Sequence, residues 1–160
     1  MRRLLGPSLW EKLFTFTVVR NPWDRTLSLY HFYRQPHLRV GRDFMSFRDY
    51  VLALRDALVN KKCCGPFKFG FVRRLASDYI TDKKGEVLVS HIARYENREH
   101  DLQYIASRIG LPGFGKLHLN KANPEKEHYS CSYDDETQEI VRTLYAKDIQ
   151  LFGYEFEDKK

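Results

Sequence analysis

Cysteine is scarce in this chain: three residues in 160, two of them the neighbours Cys63 and Cys64. Adjacent cysteines bridge only under strain, and an odd, sparse set reads as reduced thiols rather than a disulfide framework, even though Cys131 offers a partner. No CxxC pair occurs, which excludes a zinc ribbon. His31, His37, His91, His100, His118 and His128 fall at no metal-ligand spacing, so no metal is expected. There is no Asn-x-Ser/Thr acceptor for glycosylation. The longest apolar run, Leu13 to Val19, is broken by Thr15 and Thr17, whereas a membrane span needs about 20 residues. The first residues, Met1 to Pro7, are basic but lack the apolar stretch of a secretory signal, so the chain as written is expected in the cytoplasm. Neither GxxxxGK[ST] nor GxGxxG is present, and no repeat of the solenoid kind is visible.

What remains suits one compact domain over residues 1–160. Hydrophobic residues make up 42% and aromatic residues 14%, enough for a core and too much for a disordered tail. Lys and Arg outnumber Asp and Glu by 27 to 21, giving a formal charge of +6. Such a surplus favours anionic partners: nucleotides, sulfated or carboxylated sugars, nucleic acid or a membrane surface. The positive residues are scattered, at Arg39, Arg42, Lys61, Lys62, Arg73, Arg74, Lys83, Lys84, Lys159 and Lys160. No segment forms a nucleic-acid arm, and a solvated basic surface accounts for most of them.

Hydrophobic patterning predicts a strand over Leu13–Val19, apolar on both faces as a central strand would be. A helix then starts with Asn21 as N-cap, Pro22 at its first position and Asp24 against its positive end. Apolar side chains surround it through Leu27, Tyr30 and Tyr33, as in a buried helix. A second helix begins near Ser46, with Asp49 closing a capping-box variant. Residues 60–71 read as a loop. A hairpin is expected from Tyr79–Thr81 and Val87–Val89 across the Asp82–Gly85 turn, its second strand continuing to Tyr95. A third helix, from Glu99 to Ile109, is capped by Asn97, turns Leu102, Ile105, Ala106 and Ile109 inward, and is stopped by Gly110. After a polar loop over 117–133, a last helix runs from Asp134 to just before Gly153. Strands interleaved with helices indicate an α/β layered domain.

The chemistry concentrates in Arg20-Asn21-Pro22-Trp23-Asp24-Arg25-Thr26-Leu27-Ser28. Ligands of open α/β sheets bind beyond the carboxyl ends of strands, where Arg20 falls, and a guanidinium presents two parallel donors to a phosphate. Ser28 rises ~9 Å along the helix beyond Pro22 and shares a face with Asp24 and Arg25. A phosphate held by Arg20 and Ser28 would lie beside the helix and not on its tip. The plainer alternatives are an Arg20–Asp24 ion pair and a Ser28 bond to the Asp24 carbonyl. Arg25 reads as a brace for Asp24 or Glu96, and Glu96 as a buried partner for an arginine or for the third helix's first amides.

The pattern R-N-P-x-x-R-x-x-S after an apolar strand resembles the 3′-phosphate motif of sulfotransferases that use 3′-phosphoadenosine 5′-phosphosulfate (PAPS), most closely the carbohydrate-type branch with its bacterial and Golgi members. Downstream, Asp82–Val89 and Ile92–Asn97 resemble its D-x-x-G and R-[FY]-E-N stretch. His118-Leu119-Asn120-Lys121 is similar to its H-[LV]-N-K/R loop, and Tyr145–Tyr154 to its closing Y-x-x-D-I-x-x-F-G-Y. The resemblance implies a P-loop-NTPase-like α/β fold, a parallel sheet flanked by helices. It implies PAPS as co-substrate, a carbohydrate hydroxyl as acceptor, no nucleic-acid partner, and a Golgi location for a eukaryotic member. It places Arg20, Ser28, Asn120 and Lys121 at the cofactor. The family's P-K-[ST]-[GA]-[GT]-[TS] loop, which binds the 5′-phosphosulfate, does not occur in these residues. The chain is therefore expected to be a partial domain without the first strand and that loop, inactive alone, its catalytic base unassigned. The competing readings are a non-catalytic 3′,5′-ADP or anion-binding module and a basic RNA- or glycan-binding domain.

Overall fold

The computed structural model describes residues 6–34, 45–59, 74–111 and 127–159. In chain order the elements are α1 (Pro7–Trp10), β1 (Phe16–Val19), α2 (Pro22–Tyr33), α3 (Phe47–Val59), α4 (Ser77–Ile80), β2 (His91–Arg94), α5 (Arg98–Ile109), α6 (Asp135–Leu144) and α7 (Ala146–Phe152), with 3-10 turns at Tyr95–Asn97 and Tyr129–Ser132. The described fold is mixed α/β and mostly helical. It divides into two compact units, Met1–Arg20 with Ile80–Asn123, and Asn21–Tyr79 with Pro124–Lys160.

In the first unit, β1 and β2 form a parallel pair in register from Phe16↔His91 to Val19↔Arg94. The strand starts later than its composition suggests, because the Leu13 amide closes a turn onto the Trp10 carbonyl. Its burial is also one-sided: Val19 is buried, whereas Phe16 and Val18 stay 39% and 47% exposed. The indole of Trp10 donates to the Leu88 carbonyl at 3.0 Å. The expected hairpin reduces to one antiparallel bridge, Thr81↔Val87. Tyr79 and Ile80 belong to α4 instead of a strand. The turn itself forms as expected, since the Asp82 carboxylate accepts the amides of Lys84 and Glu86.

Helix α5 buries Ile105 and Ala106 while Ile109 is 37% exposed, so its inward face is shorter than its apolar spacing suggests. Asn97 makes no side-chain capping bond, because the turn Tyr95–Asn97 already leads the chain into the helix. Gly110 ends α5 at φ 71°, a left-handed conformation that costs glycine little.

The second unit holds the larger aromatic core. Trp23, Leu27, Tyr30 and Tyr33 of α2 pack with Tyr50, Val51 and Leu54 of α3 and with Tyr129, Tyr133, Val141 and Tyr145. Helix α2 buries one stripe and leaves His31 and Phe32 exposed, unlike the all-round burial its sequence suggests. At the start of α3, Ser46 Oγ accepts the Asp49 amide and donates to the Asp49 carboxylate. The predicted last helix is two. Tyr145 leaves helical dihedrals at φ −111°, ψ 20°, and its ring is 1% exposed, so the chain turns there to place the ring in the core. The loop expected over 60–71 lies outside the described residues.

Asp134 caps α6 through a reciprocal pair. Its carboxylate accepts the Thr137 amide at 2.7 Å, and its own amide donates to Thr137 Oγ1 at 3.1 Å. These bonds, the Thr137 hydroxyl first, hold the Asp134 carboxyl below its usual range. Glu157 is lowered by its bond to the Lys159 ammonium. At Asp101 burial favours the neutral acid, but hydrogen bonds from the Arg94 amide and His100 outweigh it and lower the pKa. A depressed folded-state pKa contributes stability above the unfolded value of about 4, and that contribution disappears as the pH falls through the folded value. Thermal unfolding between pH 7 and pH 2.5 is therefore expected to show a midpoint that drops below about pH 4. Asp134→Asn keeps an N-cap but loses the titrating carboxylate and its pairing with Arg48, so it should be less stable than the parent at pH 7, fall less steeply in acid and approach the parent there. A slope unchanged in that variant would remove Asp134 from the acid response.

Candidate functional site

The parallel register decides what surrounds Arg20. Val19 lies opposite Arg94, so the next residues beyond the two strands are Arg20 and Tyr95. Neighbouring strands run about 4.8 Å apart. The Arg20 Cζ accordingly sits over the Tyr95 ring, 4.2 Å from its centroid. Arg98, at the start of α5, places its Cζ 5.5 Å from the same centroid. Both arginines and Tyr95 are half-buried. The carboxyl end of the strand pair thus presents two guanidinium groups around one aromatic ring, a setting that favours an anion over a cation. Glu96 beside them is exposed, not buried as its sequence context suggests.

Asn21 opens the second unit and caps α2 as expected. Its Oδ1 accepts the Trp23 amide at 3.1 Å, and Pro22 follows at the first helical position. Its Nδ2 donates to the Glu155 carbonyl at 3.0 Å and to the Tyr129 hydroxyl at 3.4 Å. Trp23 donates from its indole to the Gln138 carbonyl and accepts the Tyr133 hydroxyl at its own carbonyl. The start of α2 is therefore tied to the C-terminal segment by a buried asparagine and a buried tryptophan. Ser28 lies half-buried on this helix. Arg25 donates to the Arg74 carbonyl at 3.4 Å and lies 5.8 Å from the Tyr145 ring centroid.

In the sequence Asp148 stands only within the closing motif, and the structure gives it work of its own. The carboxylate is 2% exposed and accepts the amides of Ala76 and Ser77 at 2.8 and 2.9 Å. Beside it, Lys147 pairs with Asp78 at 3.2 Å. Helix α7 thereby grips residues 76–78. A buried aspartate near a helix start was the available signal, but its amide donors lie about 70 residues earlier and no spacing rule connects them.

Asn120 and Lys121 lie outside the described residues. Among the described residues, no three His, Cys, Asp or Glu side chains gather as a metal ion would require. No helix among them is long and apolar enough to cross a membrane.

A model of the sulfotransferase family matches residues 4–155. An uncharacterized protein of Archaeoglobus fulgidus is 29% identical over 125 residues, which cover 76% of this chain and 88% of that relative. No solved structure matches the chain.

Removing half of the Asp148 grip should cost stability. Asp148→Asn keeps the shape but loses one acceptor and the charge facing the Ala76 and Ser77 amides. Urea unfolding is expected to show a loss of about 2–3 kcal/mol. A loss below about 0.5 kcal/mol would show that Ala76 and Ser77 find other acceptors.

Proposed function

The chain belongs to the sulfotransferase family, and on that premise we propose that it is a sulfotransferase domain handling PAPS and a hydroxyl acceptor of the carbohydrate class. Residues 1–160 act as one domain. In the reaction the acceptor oxygen attacks sulfur in line, the bond from sulfur to the 5′-phosphate oxygen breaks, and a base takes the acceptor's proton. The products are the sulfated acceptor and 3′,5′-ADP. No P-K-[ST]-G loop occurs in these residues. Their part in the proposal is therefore to bind and position the 3′-phosphate, not to break the bond.

The observation that carries this reading is the placement of Arg20 immediately beyond a parallel strand and before a proline-started, asparagine-capped helix. Arg20 supplies the planar pair of donors, and Ser28 adds a hydroxyl from the helix. Asn120 and Lys121 complete the nucleotide contacts. The 3′-phosphate distinguishes PAPS from ATP, so these residues select the cofactor.

Calorimetric titration with 3′,5′-ADP tests the assignment. Arg20→Ala is expected to weaken binding by about 2–4 kcal/mol, and Arg20→Lys to recover little, because an ammonium cannot reproduce the fork of parallel donors. Equal affinity in parent and Arg20→Ala would remove Arg20 from the site. A second expectation concerns selectivity: 5′-AMP, without a 3′-phosphate, should bind more weakly than 3′,5′-ADP. Equal binding of the two nucleotides would reduce the site to a general anion patch.

A further inference from the structure

Arg20 has a charge to deliver and many rotamers in which to misplace it. An arginine side chain loses up to about 2 kcal/mol of conformational entropy when held still. A phosphate that meets an already oriented guanidinium is spared that cost. We propose that Tyr95 is a positioning residue for Arg20, its ring holding the guanidinium plane so that the in-plane N–H donors are aimed at the 3′-phosphate. The inference deepens the assignment of Arg20 and rests on it.

Three observations carry it. The first is distance: the Arg20 Cζ lies 4.2 Å from the Tyr95 ring centroid, well inside the ~6 Å range of a cation–π contact. The second is geometry of interaction. Stacking uses the face of the guanidinium, whereas its hydrogen bonds lie in the plane, so the two do not compete. The third is rigidity of placement. Arg94 pairs with Val19, the Arg94 amide donates to the Asp101 carboxylate at 2.6 Å, and Tyr95 begins a 3-10 turn that leads directly into α5. The ring is thus carried by backbone fixed on both sides, while Arg20 leaves a strand end. Arg98 lies over the same ring and adds a second positive charge beside it. That charge draws an anion to the place where Arg20 is held.

The test measures 3′,5′-ADP and 5′-AMP binding to four chains: the parent, Tyr95→Phe, Tyr95→Leu and Arg20→Ala. Tyr95→Leu removes the aromatic face and is expected to weaken 3′,5′-ADP binding roughly 3- to 30-fold. Its 5′-AMP affinity should be unchanged, since that nucleotide gives Arg20 no 3′-phosphate to hold. Tyr95→Phe keeps the face and should stay within about twofold of the parent for both nucleotides. In the Arg20→Ala background, Tyr95→Leu should cause no further loss. Equal weakening of both nucleotides would mean that Tyr95 touches the nucleotide elsewhere or merely supports the fold, and would overturn the proposal. An unaffected Tyr95→Leu beside a weakened Arg20→Ala would overturn it while leaving Arg20 in the site. An unaffected Arg20→Ala would overturn the Arg20 assignment itself.

Should Tyr95→Leu fail to fold, the parent chain still decides. A ring stacked on the guanidinium shifts the Arg20 δ and ε proton resonances upfield. Arg20 resonances at their unstacked positions would contradict the proposal.

Discussion

One buried asparagine controls how the most informative segment of this chain is built. Asn21, 3% exposed, spends its side-chain oxygen on the first turn of α2 and its side-chain amide on the Glu155 carbonyl and the Tyr129 hydroxyl. A buried amide left unsatisfied costs about 1–3 kcal/mol, so these bonds are mutually dependent. The same C-terminal segment returns to Tyr129 through the Glu157 amide at 2.8 Å, and Phe156 packs edge-on to Trp23, Tyr129 and Tyr133. Residues at the far end of the sequence thus hold the start of the helix that follows Arg20. The asparagine and proline between Arg20 and Trp23 serve architecture.

Tyrosine does much of the work in the second unit. Tyr30, Tyr33, Tyr50, Tyr129, Tyr133 and Tyr145 all enter the core. Burial pushes the phenols of Tyr50 and Tyr133 well above the ordinary value, so they stay neutral throughout the physiological range. Two of the core hydroxyls are placed as donors: Tyr133 donates to the Trp23 carbonyl and Tyr30 to the Met45 carbonyl. Such a core is specific in direction as well as in volume, which suits a unit that must fix the entry of α2.

Local rules made much of this legible. The Asn21 cap, Pro22 at the helix start, the Ser46–Asp49 pair, the Asp82 turn and the stops at Gly110 and Gly153 all follow from short-range preferences. The position of Arg20 at the end of β1 followed from the apolar run before it. What could not be read were consequences of pairing between distant segments. Tyr79 and Ile80 have strand-like composition, yet Asp148, about 70 residues away, holds the start of a helical turn there. Tyr145 sits within a continuous helical pattern, and only the demand of the core for its ring breaks that pattern. Tyr95 becomes the neighbour of Arg20 through the β1–β2 register, a quantity that no single segment encodes.

The proposed function rests on contacts of Arg20 and Ser28 with the 3′-phosphate of the nucleotide. Nitrogen-15 NMR of the labelled chain during titration with 3′,5′-ADP tests it most directly. The Arg20 side-chain Nε–H resonance and the Ser28 amide are expected to move together, saturably and with one dissociation constant. Saturable shifts that spare both residues, with the changes confined to other arginines and lysines, would contradict it.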